Sequence, residues 1–135
     1  MGALGGMDGF NETLGTEFVE VSADRVVLSC AVKPHLLQPY GIVHGGVYCG
    51  LVETAASVAA ATWFGDRGNV VGVANHTNFI RATREGTLTV TATPVQRGRT
   101  QQLWQVEIVD GNERLVARGE VRLANLASAE HLGRA

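Results

Sequence analysis

The sequence predicts an α+β fold in which a curved antiparallel sheet wraps around one long central helix. Three observations carry the prediction. Residues 42–64 form an apolar run rich in Ala and Gly, free of proline and holding one acidic residue, Glu53. A hairpin pattern precedes this run, and four Val- and Thr-rich segments follow it at 70–79, 87–96, 103–109 and 115–123. A single helix does not cover both faces of such a sheet, so a strongly curved sheet around the helix is the economical arrangement.

Each element follows from local chemistry. Residues 10–14 read as a short helical lead-in. Residues 16–23 alternate loosely through Phe18, Val19 and Val21, and 25–32 pair with them after Ala23-Asp24 as an antiparallel hairpin. Lys33-Pro34 ends the hairpin, because proline does not continue a ladder, and Pro39-Tyr40-Gly41 marks an irregular approach to the next element.

From residue 46 to 64, Ala55, Ala56, Ala59, Ala60 and Ala61 favour a helix of about five turns. Val47, Leu51, Ala55, Val58 and Thr62 fall on one stripe, and Cys49, Glu53, Ser57 and Ala60 on the opposite one. A helix apolar nearly all round is buried on most sides. A carboxylate at the centre of a membrane span is costly, which favours a core helix over a spanning one. Gly65-Asp66-Arg67-Gly68-Asn69 then breaks the helix, and Arg97-Gly98-Arg99 and Asp110-Gly111-Asn112 supply two hairpin turns. The ends, 1–9 and 127–135, are expected to be flexible.

The 135 residues suit one domain spanning 1–135, and a 45% hydrophobic composition excludes a disordered chain. A net charge of −2 gives no electrostatic reason to expect a nucleic-acid partner. Exposed sheet edges favour pairing between identical chains. Cys30 and Cys49 lie in apolar stretches without ligand spacing, which predicts buried free thiols and no metal or redox cofactor. No basic segment followed by an apolar run opens the chain, so a cytoplasmic protein without a membrane partner is expected.

Apart from histidine, Glu53 is the only charged residue between Lys33 and Asp66. A carboxylate in a buried helix must be paired, hydrogen-bonded or protonated, which suits a general base or nucleophile. A structural carboxylate satisfied by hydrogen bonds or a partner chain is the competing reading. His44-Gly45-Gly46 opens the helix, where backbone N–H groups lack intrahelical acceptors and glycine admits a ligand closely. This motif suits an oxyanion hole or a plain tight turn. Together, the Gln38 amide, the Gly45 N–H, Glu53 and Ser57 one turn beyond it supply a polarised carbonyl and an attacking or water-activating carboxylate. Arg81, Arg84, Arg97 and Arg99, with Thr100, stand near strand ends and would suit the phosphates of coenzyme A, although exposed arginines are commonly just solvated.

The stretch Leu37-Gln38-Pro39-Tyr40-Gly41-Ile42-Val43-His44-Gly45-Gly46, with Glu53 nine residues after His44, resembles the hotdog-fold thioesterases. The resembling branch includes the Arthrobacter-type 4-hydroxybenzoyl-CoA thioesterase and the dihydroxynaphthoyl-CoA hydrolase. Gly98-Arg99-Thr100-Gln101-Gln102-Leu103-Trp104, and Arg81 followed by Glu85-Gly86, are similar to later segments of that branch. The resemblance covers about 10–126 and implies the hotdog fold, with roles residue by residue. Gln38 and the Gly45 N–H would bind the thioester oxygen, and His44 would brace the Gln38 loop. Glu53 would attack the carbonyl or activate water, with Ser57 near it. Arg81, Arg84, Arg99 and Thr100 would sit near CoA, which enters as part of the substrate. The site would lie between protomers of a homodimer that pairs into a homotetramer. Ala82 stands where the family often has proline, which weakens the CoA assignments relative to the catalytic ones.

The rival readings are a hotdog dehydratase, which the His-Gly-Gly and Glu53 spacing disfavours, and a non-catalytic acyl-CoA-binding protein, which the intact Gln38, Gly45 and Glu53 set disfavours. Tyr40, Tyr48, Trp63 and Phe64 would suit an aromatic acyl group or simply the core, and the resemblance favours aromatic acyl-CoA. Medium-chain fatty acyl-CoA and acyl-carrier-protein substrates are the alternatives.

Overall fold

A computed structural model describes residues 9–127. Both expected flexible ends therefore lie almost wholly outside the described residues. Helix α1 (Phe10–Leu14) leads into a hairpin of β1 (Thr16–Val21) and β2 (Val26–Ala31). A 3₁₀ turn at Pro34–Leu36 and a loop then reach α2 (Gly45–Phe64). After a second 3₁₀ turn, Gly65–Arg67, come β3 (Asn69–Phe79), β4 (Thr87–Arg97), β5 (Gln101–Val109) and β6 (Leu115–Leu126). The six strands form one antiparallel sheet in the order β1-β2-β4-β5-β6-β3.

Helix α2 packs against every strand of this sheet. Six strands laid flat span roughly 24 Å at their hydrogen-bonding spacing, about twice the width of a helix with its side chains. The sheet must therefore curl around α2. Val47, Leu51, Ala55 and Val58 are buried, as the first stripe predicts, and meet Leu28, Leu88, Val90, Trp104, Val106 and Ile108 in one core. Cys49, Glu53 and Ser57 of the opposite stripe are only half-buried. The segment Gly45–Arg67 is long and apolar enough to cross a membrane, yet most of it is buried within the fold, which makes it a core helix.

Strand β3 is a sheet edge, bonded only to β6, and a β-bulge between Gly72 and Ala74 changes its register. Beyond the bulge, Asn75, Thr77 and Phe79 oppose the buried Val121, Gly119 and Ala117, so they share the inner face toward α2. Ala74, His76 and Asn78 oppose the exposed Arg122, Glu120 and Arg118 on the outer face. Because no strand among the described residues lies beyond β3, its inner face is open at the edge, and Asn75 and Phe79 are exposed there.

The motif around Gln102 has a structural explanation. Gln102 is fully buried; its Nε2 donates to Asn125 Oδ1 (2.8 Å) and Ala60 O (3.3 Å), and its Oε1 accepts from Trp104 Nε1 (2.8 Å). One amide thereby ties β5 to β6 and to the last turns of α2, with its polar atoms satisfied.

Candidate active site

The Gln38 loop is a tight turn fixed from several sides. Pro39 sets the backbone at the turn's first corner, Gly41 takes a φ of +81°, and Gly41 N–H donates to Gln38 O (2.8 Å). Gln38 N–H donates to Ile42 O (2.8 Å), and Arg84 Nη1 donates to the carbonyls of Tyr40 (3.2 Å) and Gly41 (3.4 Å). The Tyr40 N–H donates to Gln38 Oε1, which leaves Nε2 as the donor end of that side chain. His44 is the N-cap of α2: its Nδ1 accepts from Gly46 N–H at 2.8 Å. Its side chain thus organises the start of the helix, while the backbone bond from His44 N–H to Leu36 O joins that start to the loop.

Gln38 and Gly45 open onto one cavity of about 260 Å³, lined also by Ile42, Val43, Tyr48, Phe79 and Arg81. The Phe79 ring lies over Gly45, where a Cβ would come within 2.5 Å of Phe79 Cε2. Its centroid is 5.8 Å from that of Tyr48, in a tilted pair. The Tyr48 hydroxyl donates to Thr83 Oγ1 (3.3 Å), and burial is the main cause that pushes its pKa up, so it stays a neutral phenol. Tyr40 is exposed. Trp63 and Phe64 lie at the other end of α2 under Arg67, whose guanidinium carbon stands 4.3 Å from the Trp63 ring centre.

Glu53 lies two turns along α2 on the side facing β3. Asn75 Nδ2 donates to Glu53 Oε1 (3.0 Å) and to Cys49 O (3.2 Å), and Thr77 Oγ1 donates to Asn75 Oδ1 (2.7 Å). Gly72 adjoins the carboxylate, since any Cβ there would overlap Glu53 Oε2. Ser57 is half-buried one turn further on; among the described residues the carboxylate's donor is Asn75. Asn75, Gly72 and Phe79 were not among the residues the sequence singled out. For Asn75 the signal was the polar run Asn75-His76-Thr77-Asn78, which follows the apolar stretch 70–74.

Two separations govern the chemistry. Eight residues of α2 place the α-carbon of Glu53 about 12 Å along the axis from that of Gly45. The arginine set is also divided. Arg81 and Arg84 follow the end of β3 beside the N-terminus of α2, whereas Arg99 and Thr100 occupy the β4–β5 turn at the opposite end of the sheet. The nine residues of β5 put these groups roughly 30 Å apart within one chain. No group of three or more His, Cys, Asp or Glu side chains suited to a metal occurs among the described residues.

The comparisons agree with this architecture. The family described as the thioesterase superfamily matches residues 40–117. A Mycobacterium tuberculosis protein, provisionally named an esterase, is 49% identical over 120 residues, covering 87% of this chain and 86% of that protein. A 1,4-dihydroxy-2-naphthoyl-CoA hydrolase of Listeria monocytogenes is 33% identical over 116 residues, covering 86% of this chain and 94% of the relative. The crystal structure of S. sahachiroi AziG superposes with a TM-score of 0.88 at 53% identity, over 90% of this chain and 98% of that one. A sheet curled around one long helix is thus the hotdog framework these proteins share, and the chain belongs to the thioesterase superfamily as a thioester hydrolase.

Proposed function

We propose that the protein is an acyl-CoA thioesterase in which Glu53 of one protomer acts on a thioester held by Gln38 and Gly45 of another. The resemblance to the hotdog thioesterases implies this sharing, and the observation that supports it is that Glu53 lies about two turns along α2 from Gly45, facing the edge strand β3. Strand β3 holds no acidic or basic residue other than His76, and Val71, Val73 and Phe79 on it are exposed. An edge of eleven residues without Asp, Glu, Lys or Arg is a template for pairing, and the expected occupant is β3 of a second copy. Antiparallel pairing about a twofold axis brings the N-terminal end of one α2 toward the middle of the other. It also brings Arg99 and Thr100 of one chain to the end of the sheet that carries Arg81 and Arg84 of its partner, where CoA phosphates would be bound.

In this site the Gln38 Nε2–H and the Gly45 N–H donate to the thioester oxygen and stabilise its negative charge as the carbonyl becomes tetrahedral. Glu53 either takes a proton from water as the hydroxide adds, or attacks the carbonyl itself to give an anhydride that water then opens. Either way the C–S bond breaks, the thiolate takes up a proton, and the products are free acid and CoA. The cavity between Ile42, Val43, Tyr48 and Phe79 supports an aromatic acyl group, as does the naphthoyl-CoA named for the Listeria relative. Pairing of dimers into a tetramer and a cytoplasmic location complete the reading.

The test is thiol release from benzoyl-CoA, octanoyl-CoA and octanoyl-carrier protein. Wild type is expected to turn over benzoyl-CoA fastest, and Glu53→Gln to lose at least about a hundredfold in kcat while keeping its fold and oligomer. Near-normal turnover in that variant would contradict the role of Glu53. Faster aliphatic turnover would overturn only the acyl preference, and binding without turnover in the wild type would favour an acyl-CoA-binding protein.

A further inference from the structure

The inner face of β3 carries a polar arrangement that the proposed chemistry does not itself require. Asn75 Nδ2 reaches two acceptors, Glu53 Oε1 and Cys49 O, and its Oδ1 accepts from Thr77 Oγ1. The amide therefore has one sensible orientation: reversing it would set Oδ1 against a carboxylate and a carbonyl, two acceptors without a proton between them. Room for the arrangement comes from two glycines. Gly72 has no side chain to displace the Glu53 carboxylate, and a Cβ on Gly119 of β6 would stand 2.8 Å from Thr77 Oγ1. The bulge between Gly72 and Ala74 puts Asn75 and Thr77 on this face.

We propose that Asn75 is a positioning residue, with Thr77 behind it, that holds the Glu53 carboxylate in one rotamer against β3. The inference rests on the proposed role of Glu53. A glutamate has three rotatable side-chain bonds, and a carboxylate in a site that admits water has water as an alternative partner. Fixing one oxygen with an amide that is itself bonded to the helix backbone removes that freedom before substrate arrives. Asn75 does not touch the thioester. Its effect falls on kcat, because it governs where the attacking oxygen stands rather than how the acyl-CoA is held.

The experiment measures benzoyl-CoA and octanoyl-CoA hydrolysis, with thermal melts, for Asn75→Asp, Thr77→Val, Thr77→Ser, Glu53→Gln and the Asn75→Asp/Glu53→Gln double variant. Asn75→Asp keeps the shape, loses both donors and sets a second carboxylate against Glu53, so the Glu53 side chain is released from β3 and kcat is expected to fall about ten- to a hundredfold with KM little changed. Thr77→Val is expected to lower kcat in the same way, while Thr77→Ser, which keeps the hydroxyl, restores most of it. In the Glu53→Gln background the Asn75 change is expected to add little, because the residue acts through Glu53. Should Asn75→Asp fail to fold, the Thr77 pair alone decides. An inactive Glu53→Gln with normal kcat in Asn75→Asp, or equal kcat in Thr77→Val and Thr77→Ser, would overturn this inference and leave the Glu53 reading intact. Normal kcat in Glu53→Gln would overturn both.

Discussion

The Glu53 carboxylate rests against the bare α-carbon of Gly72, so that helix and edge strand meet at a point with no room for a side chain. The conformation of Gly72 is not itself special to glycine, since only its lack of a Cβ matters here. Gly72→Ala is therefore expected to push the carboxylate off the strand while leaving the backbone unstrained. We predict a fall in kcat of about tenfold or more, with the melting temperature lowered by only a few degrees. Steady-state kinetics beside a thermal melt separates the two effects.

Gln102 makes the opposite prediction. Its amide serves Asn125, Ala60 and the Trp104 indole from a fully buried position, far along the sheet from Gln38 and Gly45. Gln102→Leu fills similar volume but leaves the Trp104 N–H without its acceptor, a loss of about 1–3 kcal/mol. Urea unfolding is expected to show that loss, with kcat per folded molecule unchanged.

Asp110 ties the β5–β6 turn. Its Oδ1 accepts from the N–H groups of Arg114 (3.0 Å) and Asn112 (2.9 Å), and its Oδ2 from Arg114 Nε (3.0 Å). The Arg114 backbone bond, first among these causes, holds the Asp110 carboxyl below its usual range. A carboxyl depressed in the folded state contributes stability above its unfolded value and loses it as pH falls through the lowered one. Wild type is thus expected to lose stability on acidification below about pH 4 more steeply than Asp110→Asn. Melting temperatures of both proteins between neutral pH and pH 3 check this, and parallel curves would contradict it.

Much of the fold was legible in the residues themselves. The alanine-rich run locates α2 to within a residue at its start, and the Arg97–Arg99 and Asp110–Asn112 turns locate both later hairpins. The predicted fifth element began at Leu103, whereas β5 begins at Gln101, because Gln101 and Gln102 look like turn residues until Gln102 is seen satisfied in the core. The faces of α2 were less legible: the Cys49–Glu53–Ser57 stripe is hardly more polar than its opposite, and only its place beside an edge strand leaves it half-buried.

The candidate site was legible in its parts more than in its arrangement. Gln38, Gly45 and Glu53 stand out by residue type, yet Asn75 did not, because the bulge at Gly72 and Ala74 breaks the simple alternation that would assign it a face. The arginines were grouped by being near strand ends. Following the antiparallel order through β4 shows that Arg81 and Arg84 lie at one end and Arg99 at the other. Grouping by sequence neighbourhood misses this because each strand carries the chain the full length of the sheet.

The central claim is that Gln38 and Glu53 of different chains serve one site, and subunit complementation tests it most directly. Gln38→Ala and Glu53→Gln homo-oligomers, each nearly inactive, are unfolded together and refolded as a mixture, and thiol release from benzoyl-CoA is followed. A twofold dimer with shared sites regains one intact site per mixed dimer, roughly a quarter of wild-type activity at equal mixing. That recovery is the predicted result. Mixed dimers that form, as shown by differently tagged chains, yet remain as inactive as their parents would contradict the shared site.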